Sequence, residues 1–398
     1  MRRFFLALSL LCSLTLSAQR IFRARVVDAE TGEKMPLARV IISDRNYTLS
    51  NNEGNFSINA RGSDVIRISY VGYDTVVVKA ADLPEKVEMR PMTRDLGEVK
   101  VIPVEHILLC LAKALNAENR ENANAKCNYF YRITNSSPEQ TAVIEAFTTA
   151  YSTININSAR ILNGRTFCPV PIREFYDELP SFFPLFQHDI FELGPEIPPS
   201  CRSPLAADLN LPIPEWARKG DDLGGRELSC HVLKTPTGET LYQITIVVDA
   251  VASAKAGEKH LRLSAERALS GTIYVQEEKH DYRLLSFDGQ LTGIRLSNVR
   301  GEVHPVDIRM HIDFQHNGRF TEPVTVYGVM SYDEYVSRML AFKVNVPDLY
   351  LMWGPKADIG ILDAISQTQY RPELWTQDII LRTEEEEEIV QKMLDGKE

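Results

Sequence analysis

The stretch that decides the fold of this chain is Arg20–Asp28, whose sequence reads RIFRARVVD. Phe22, Ala24 and Val26 share one face of this stretch, and arginines occupy the positions between them. Strict alternation of apolar and polar side chains indicates a β-strand with one buried face. The stretch therefore predicts a sheet that packs against a core on one side only.

The same two-residue alternation recurs along the chain as far as Met92. The recurring apolar positions are Val40 and Ile42, Phe56 and Ile58, Ile66 and Ile68, Val76 and Val78, and Val87 and Met89. Turn signals rich in Asn and Gly separate these runs at residues 31–33 and 51–54, where backbone with positive φ is favoured. Six or seven short strands of this kind predict a small antiparallel β-sandwich over residues 19–92.

Four motifs inside this region occur in a specific order. They are VDAETGE at residues 27–33, PLARV at 36–40, NEGNF at 52–56 and ISYVGY at 68–73, followed by DLGEVKV at 95–101. The succession resembles the carboxypeptidase regulatory-like domain. The resemblance implies a transthyretin-like fold, and an accessory module that often precedes TonB-dependent transporters or other envelope proteins of Gram-negative bacteria. It implies no peptidase chemistry in the module itself.

The amino terminus carries the pattern of an export signal. Arg2 and Arg3 precede an apolar run over residues 4–16, and small side chains stand at Ser17 and Ala18. This order predicts a secretory signal at residues 1–18 that is removed on export. We therefore expect an exported protein, either periplasmic or associated with the outer membrane. No later apolar run approaches the ~18 residues of a membrane-spanning helix.

The charge balance narrows the choice of partners. The formal net charge is −10, and without Arg2 and Arg3 the mature chain carries 42 basic against 54 acidic side chains, or −12. An acidic surface repels the phosphates of nucleic acids and of anionic membranes. We expect no nucleic-acid partner and no transmembrane span in the mature chain.

The remaining residues predict a mainly β protein, α+β overall, with a larger second domain. We expect a linker with an amphipathic helix over residues 93–119, an antiparallel β-meander or half-barrel over 120–382, and a C-terminal helix over 383–398. In the last helix Thr383 and Glu386 form a capping box. We interpret the run Glu384–Glu388 as a solvated segment that complements the helix dipole, because five consecutive positions point all around the axis.

Residues 166–226 predict a proline-rich flap over the second domain. Ten of the 21 prolines fall between Pro169 and Pro214, which makes regular structure sparse, while the many aromatic side chains argue against disorder. Long ordered loops are often functional. The candidate ligand-binding residues are therefore Phe175, Tyr176, Phe182, Phe183 and Phe186. The alternative interpretation is that these rings only cover an open sheet face.

Catalytic and metal-binding motifs are missing from the sequence. There is no G-x-S-x-G, phosphate-loop, G-x-G-x-x-G or H-E-x-x-H pattern. The nearest histidine cluster is His304, His311 and His316 with Asp313, but His304 and His311 point to opposite faces of a strand. We predict no catalytic residue, no metal and no cofactor.

Five cysteines, an odd number, remain in the chain after the predicted signal is removed. They are Cys110, Cys127, Cys168, Cys201 and Cys230. No C-x-x-C pair occurs among them, which argues against a thioredoxin-type or zinc-ribbon site. We expect buried free thiols or a single disulfide, although up to two bridges are open to them.

These observations favour a non-enzymatic envelope protein whose sandwich contacts a protein partner and whose second domain binds a ligand or partner. One alternative is a periplasmic hydrolase with a dispersed active site, which a pocket holding a histidine and two carboxylates would favour. Another is a lipid or peptide carrier with an apolar half-barrel groove.

Overall fold

A computed structural model gives the structure of this chain. It describes residues 20–43, 46–92, 104–122, 125–152, 156–168, 226–235, 238–248, 268–279, 281–297, 303–344, 354–355, 361–369, 371–375 and 382–395. Contacts between Cα atoms divide the chain into two compact units. The first comprises residues 1–92 and 373–384, and the second comprises residues 93–372 and 385–398.

The first unit contains seven strands in its described part. They are β1 (Arg20–Asp28), β2 (Arg39–Ser43), β3 (Asn46–Leu49), β4 (Asn55–Ala60), β5 (Val65–Ser69), β6 (Val76–Lys79) and β7 (Lys86–Met89). They form a three-stranded sheet in the order β4-β1-β7 and a four-stranded sheet in the order β3-β2-β5-β6. The pairing is antiparallel except between β1 and β7, which run parallel.

The core of this unit lies between the two sheets. Alternate side chains of β1, led by Phe22 and Val26, meet Phe56 of β4 and the isoleucines Ile66 and Ile68 of β5 in one buried cluster. The apolar residues of the alternating sequence pattern thus point into the core between the two sheets, and the polar residues between them point outward. Burying about five such side chains contributes on the order of 10 kcal/mol from apolar surface alone.

One turn of this unit shows why glycine is required there. Gly54 has φ of +77°, and a Cβ at this position would lie 2.5 Å from the backbone oxygen of Val26. Both the backbone angle and the close approach of β1 exclude a larger residue. The Asn-Asn-Glu-Gly turn predicted from sequence is confirmed at this place.

The second unit contains ten strands and three helices in its described part, the first residue of the last helix being grouped with the first unit. The helices are α1 (Val104–Glu121), α2 (Ile361–Ser366) and α3 (Glu384–Asp395), and short 3₁₀ helices lie at Ala80–Asp82 and Pro372–Trp375 of the chain. The strands are β8 (Lys126–Ser136), β9 (Thr141–Ser152), β10 (Ile156–Phe167), β11 (Arg226–Lys234), β12 (Thr240–Val248), β13 (Ala268–Glu278), β14 (Asp281–Ser297), β15 (Val303–His316), β16 (Thr321–Tyr332) and β17 (Tyr335–Val344).

All ten strands join one antiparallel sheet in the order β10-β9-β8-β17-β16-β15-β14-β13-β12-β11. Strands β11 to β17 follow one another as a meander, and so do β8 to β10. The two meanders meet where β17 pairs with β8, from Val336 opposite Ser136 to Val344 opposite Asn128. The order has two ends among the described strands, at β10 and β11. The predicted antiparallel meander is confirmed.

One face of this sheet, here called the core face, packs against α1. Ile107, Leu108, Leu111 and Leu115 of α1 are buried in the same cluster as core-face side chains of the strands. This is the apolar stripe that the 3.6-residue period predicts. The helix that the sequence analysis interpreted as a linker therefore contributes to the core of the second unit.

A glycine pair on the core face makes room for an aromatic ring. Gly271 of β13 lies opposite Gly289 of β14, and the ring of Phe287 covers both, so that a Cβ on either would overlap it. Phe287 is buried as a result. A side chain at these two positions would displace the ring from the core.

The opposite face of the sheet, here called the outer face, carries α3. Ile389 and Val390 of α3 pack on Val143 of β9 and Phe167 of β10. The segment just before this helix groups with the first unit, where the side-chain amide of Asn51 donates to the backbone oxygen of Arg382 at 3.2 Å. The sequence pattern predicts a second domain that extends to residue 382, whereas residues 373–384 group with the first unit by contacts.

Candidate functional site

The aromatic side chains predicted to bind a ligand lie outside the described residues. These are Phe175, Tyr176, Phe182, Phe183 and Phe186. The connection that contains them leaves β10 and enters β11, which are the two end strands of the ten-stranded sheet. Their role in ligand binding stays a prediction.

One row of paired residues crosses the outer face of the sheet from end to end. From β10 to β11 it comprises Arg165, Glu145, Arg132, Leu340, Tyr327, His311, Asp288, Thr272, Thr245 and Ser229. Cross-strand neighbours in such a row are close enough to interact directly. The row contains two charged clusters, one around His311 and one around Glu145.

In the first cluster His311 lies between two carboxylates. Its Nε2 is 3.2 Å from Oδ1 of Asp313, and its Nδ1 is 3.3 Å from Oδ2 of Asp288. His311 and Asp313 are buried although they point away from the core face, whereas the side chain of Asp288 is 62% exposed. The strand period explains the pair, because residues 311 and 313 point the same way on β15.

The two carboxylates determine the charge on His311. Burial by itself lowers the pKa of this imidazole, but Asp313 and Asp288 outweigh it and raise the pKa from 6.5 to about 10. The ring is therefore an imidazolium at neutral pH, with both N–H groups directed at carboxylates. In this state the ring has no lone pair to accept a proton or to bind a metal. What it does is hold the exposed carboxylate of Asp288 in place.

The second cluster centres on the fully buried carboxylate of Glu145. Arg132 Nη2 lies 2.7 Å from Oε1, and Arg165 Nη2 lies 2.7 Å from Oε2. Arg132 Nε also donates to Oε1, and Arg165 Nε also donates to Oε2, each at 2.8 Å. Four charge-assisted hydrogen bonds satisfy one carboxylate, the arrangement in which a buried charge is tolerated.

The C-terminal helix completes this second cluster. Glu386 is buried: its Oε1 accepts a hydrogen bond from Oγ1 of Thr134 at 2.7 Å, and its Oε2 is 3.9 Å from Arg132 Nη1. The neighbouring Glu385 accepts from Oγ1 of Thr141 at 2.7 Å. The interpretation of the glutamate run as solvated was therefore wrong at Glu386. Thr134 and Arg132 on the outer face of the sheet hold this carboxylate in its buried position. The sequence alone does not show that these two residues lie beside Glu386.

A third polar cluster lies on the core face near the end of α1. Glu118 of α1 accepts a hydrogen bond from the backbone N–H of Thr321 at 2.7 Å and lies 3.5 Å from Nε2 of His316. Beside it, Lys343 contacts the buried carboxylate of Glu322 at 2.5 Å. The hydrogen bond from the Thr321 N–H to Glu118 links the helix to the sheet, and the Lys343–Glu322 ion pair lies beside it.

Two of the described thiols, Cys127 and Cys230, lack the lowered pKa of a reactive cysteine. Burial raises the pKa of Cys127 to about 12 and also raises that of Cys230. A nucleophilic cysteine has a lowered pKa, so neither thiol is poised for catalysis. In the described ranges Cys110, Cys127 and Cys230 are free, whereas Cys201 lies outside them.

No group of three or more His, Cys, Asp or Glu side chains that could hold a metal ion occurs in the part of the chain that the structure describes. The histidines that the sequence brought together separate in space by face: His311 lies on the outer face with Asp313, and His316 pairs with Glu118 on the core face. The side chain of His304 lies outside the described set.

The first unit presents a different kind of candidate site, an open strand edge. Strand β6 ends the four-stranded sheet and pairs only with β5 among the described strands. Val77 of β6 and Val65 of β5 are 59% and 43% exposed, and they point outward from the sandwich. They are two of the four large hydrophobic side chains found exposed in the described residues.

Comparison with known proteins identifies the first unit. Residues 23–101 match the model of the CarboxypepD_reg-like domain. The N-terminal module is a carboxypeptidase regulatory-like domain. This domain is an Ig-like β-sandwich often used for protein interaction, and the resemblance inferred from the four motifs is confirmed. The C-terminal part has no assigned family. No curated protein and no solved structure matches the chain.

Proposed function

We propose that this chain is an exported, non-enzymatic protein of the cell envelope whose regulatory-like domain binds a protein partner. In this proposal the ten-stranded sheet is the scaffold for a ligand or a second partner. The observation that carries it is the open edge at β6, flanked by exposed Val65 and Val77, in a domain of a type often used for protein interaction. Edge strands of sandwiches recognise extended segments of other proteins.

Export is supported by the sequence pattern of residues 1–18 and by the family of the module, which is typical of exported envelope proteins. Residues 1–19 themselves lie outside the described residues. Within the described residues, the helices are too short or too polar to cross a membrane. We place the protein in the periplasm or at the outer membrane of a Gram-negative bacterium.

The absence of catalysis is supported by the way the charged groups are used. The one described histidine with two carboxylates in reach, His311, is held as an imidazolium by both of them. Such a group does not activate a nucleophile or a water molecule. The described residues offer no observation that favours the hydrolase or the lipid or peptide carrier. The aromatic residues between 175 and 186 stay the predicted ligand contacts of the second unit.

The test combines localisation with in-cell cross-linking. Fractionation and mass spectrometry of the full chain should find it in the envelope with Gln19 as its first residue. A photo-reactive amino acid on the first unit should then give a discrete cross-linked protein, while one on α1 of the second unit, at exposed Lys113, serves as the control. Recovery of the uncleaved chain from the cytoplasm, or no cross-link on any face of the module, would refute the proposal.

A further inference from the structure

The edge strands of the two sheets in the regulatory-like domain are not equally protected against pairing with a strand of another protein. The β7 end carries alternating charges, with Lys86 and Glu88 joined by a 2.9 Å ion pair. The β3 end lies against β4, and its Leu49 is buried. Charge and coverage are the usual means of blocking strand addition at a sheet edge. Strand β6 has the sequence Val-Val-Val-Lys, and its first three residues carry no charge and have no covering strand among the described strands.

The side chains around this edge form a mixed apolar and cationic surface. Arg67 of β5 lies opposite Val77 of β6 and opposite Ile41 of β2, and Val65 lies opposite Lys79. These residues point away from the sandwich core, and Arg67 and Lys79 are exposed. An added strand would therefore meet valines and cations in alternation.

The charge of this surface selects the chemistry of its occupant. The outward positions of β2, β5 and β6 include Arg39, Arg67 and Lys79 and no acidic residue. Residues 19–92 carry 11 basic and 10 acidic side chains, or +1, whereas residues 93–398 carry 31 and 44, or −13. The cationic surface thus stands out from an acidic chain. Complementary charge gives an interface its specificity and its association rate.

We propose that β6 accepts an acidic, extended segment of a partner protein as an added strand, with carboxylates of that segment paired to Arg67 and Lys79. This proposal rests on the proposed function, because it names the surface and the partner chemistry of the same domain. Backbone hydrogen bonds to the open edge supply affinity, and the valines supply apolar contact. Acidic residues at alternate positions set the register, since side chains on one face recur every second residue.

Defined peptides test the proposal on the full mature chain. The probe is a fluorescein-labelled decapeptide of alternating Glu and Val, and the comparison peptide alternates Lys and Val. A third peptide repeats the Glu-Val sequence with alternate backbone nitrogens methylated, which removes the donors along one edge. We expect saturable binding of the Glu-Val peptide, at least ten-fold weaker binding of the other two, and weaker binding as salt rises.

Charge-reversal variants locate the site. Arg67→Glu/Lys79→Glu should weaken Glu-Val binding at least ten-fold, and the same variant should gain binding of the Lys-Val peptide. The matched control is Arg23→Glu/Arg25→Glu, which reverses two cations on the outer surface of the other sheet and should leave binding unchanged. Circular dichroism checks that both double variants keep the fold.

The outcomes separate this proposal from the broader function. Equal binding of the two charge types, equal loss in both double variants, or no binding of the Glu-Val peptide would each overturn strand addition at β6. If a discrete partner is nevertheless cross-linked to another surface of the domain, the proposed function stands and only the inference fails. If no partner is found on any surface, both fail.

Discussion

His311 gives the sharpest test of how this protein uses its buried charges. The pKa of His311 is about 10 in the folded protein against 6.5 for the ordinary side chain. A raised pKa means that the folded state holds a proton that the unfolded state releases. The stabilisation is therefore complete below pH 6.5, and it is lost as pH rises through about 10.

The magnitude follows from proton linkage. Each bound proton in excess changes the free energy of unfolding by about 1.4 kcal/mol per pH unit. Between pH 7.5 and 9 the folded state keeps almost one extra proton on His311, so this residue alone lowers stability by about 2 kcal/mol over that interval. Across the whole range from 6.5 to 10 the loss reaches up to about 5 kcal/mol.

The perturbation is His311→Gln, which removes the titrating ring and keeps a hydrogen-bond donor. Urea unfolding followed by circular dichroism at pH 7, 8 and 9 and constant ionic strength should show the variant less stable at pH 7. The gap from the wild type should narrow by about 1.4 kcal/mol per pH unit. His231→Gln, at an exposed position on β11, is the matched control and should run parallel to the wild type.

A direct titration keeps this reasoning testable even if the variant fails to fold. NMR of the imidazole C–H resonances should show that the His311 ring stays protonated at pH 8. The His311 resonance is assigned as the one that persists when each of the other seven histidines is replaced by Gln in turn. A ring at position 311 that titrates near pH 6.5, or wild-type and His311→Gln curves that stay parallel between pH 7 and 9, would refute the account of the cluster.

Three further outcomes are expected. Glu145→Gln leaves two guanidinium groups without their buried carboxylate and should cost about 3–5 kcal/mol in urea unfolding, whereas Glu88→Gln in an exposed ion pair should cause no measurable change. Gly289→Ala places a methyl group where an aromatic ring lies, so its thermal midpoint should fall by an amount equivalent to about 1–3 kcal/mol. Gly62→Ala, whose added Cβ would meet only an ordinary contact at 3.5 Å, should leave that midpoint in place. Cys127, with a pKa of about 12, should resist iodoacetamide at pH 8 in the folded protein and react after unfolding.

Local patterns carried much of the fold. The alternation in Arg20–Asp28 predicts which side chains enter the sandwich core, and the spacing of Ile107, Leu111 and Leu115 predicts the buried stripe of α1. Both depend only on the period of a strand or a helix, which any short window of sequence displays. The strands of the second unit were predicted for the same reason.

The same periodic patterns do not predict the polar clusters. The raised pKa of His311 depends on Asp313, two positions away on the same strand, and also on Asp288. Asp288 is 23 positions away in the sequence and becomes a neighbour only through the register of β14 and β15. Glu386 looks like one of five equivalent glutamates until Thr134 and Arg132 select it. Such choices follow from strand pairing between distant segments, and a periodic pattern does not encode pairing partners.

The pairing of β17 with β8 affects how the second unit folds. Its partners are separated by 200 positions at Ser136 and Val336 and by 216 at Asn128 and Val344. The ribosome synthesises β8 before β17, so one edge of β8 stays unpaired until β17 has been made. Non-local pairing of this kind slows folding and leaves adhesive edges exposed meanwhile. We therefore expect the newly synthesised polypeptide to depend on a holding chaperone far more than the folded protein does.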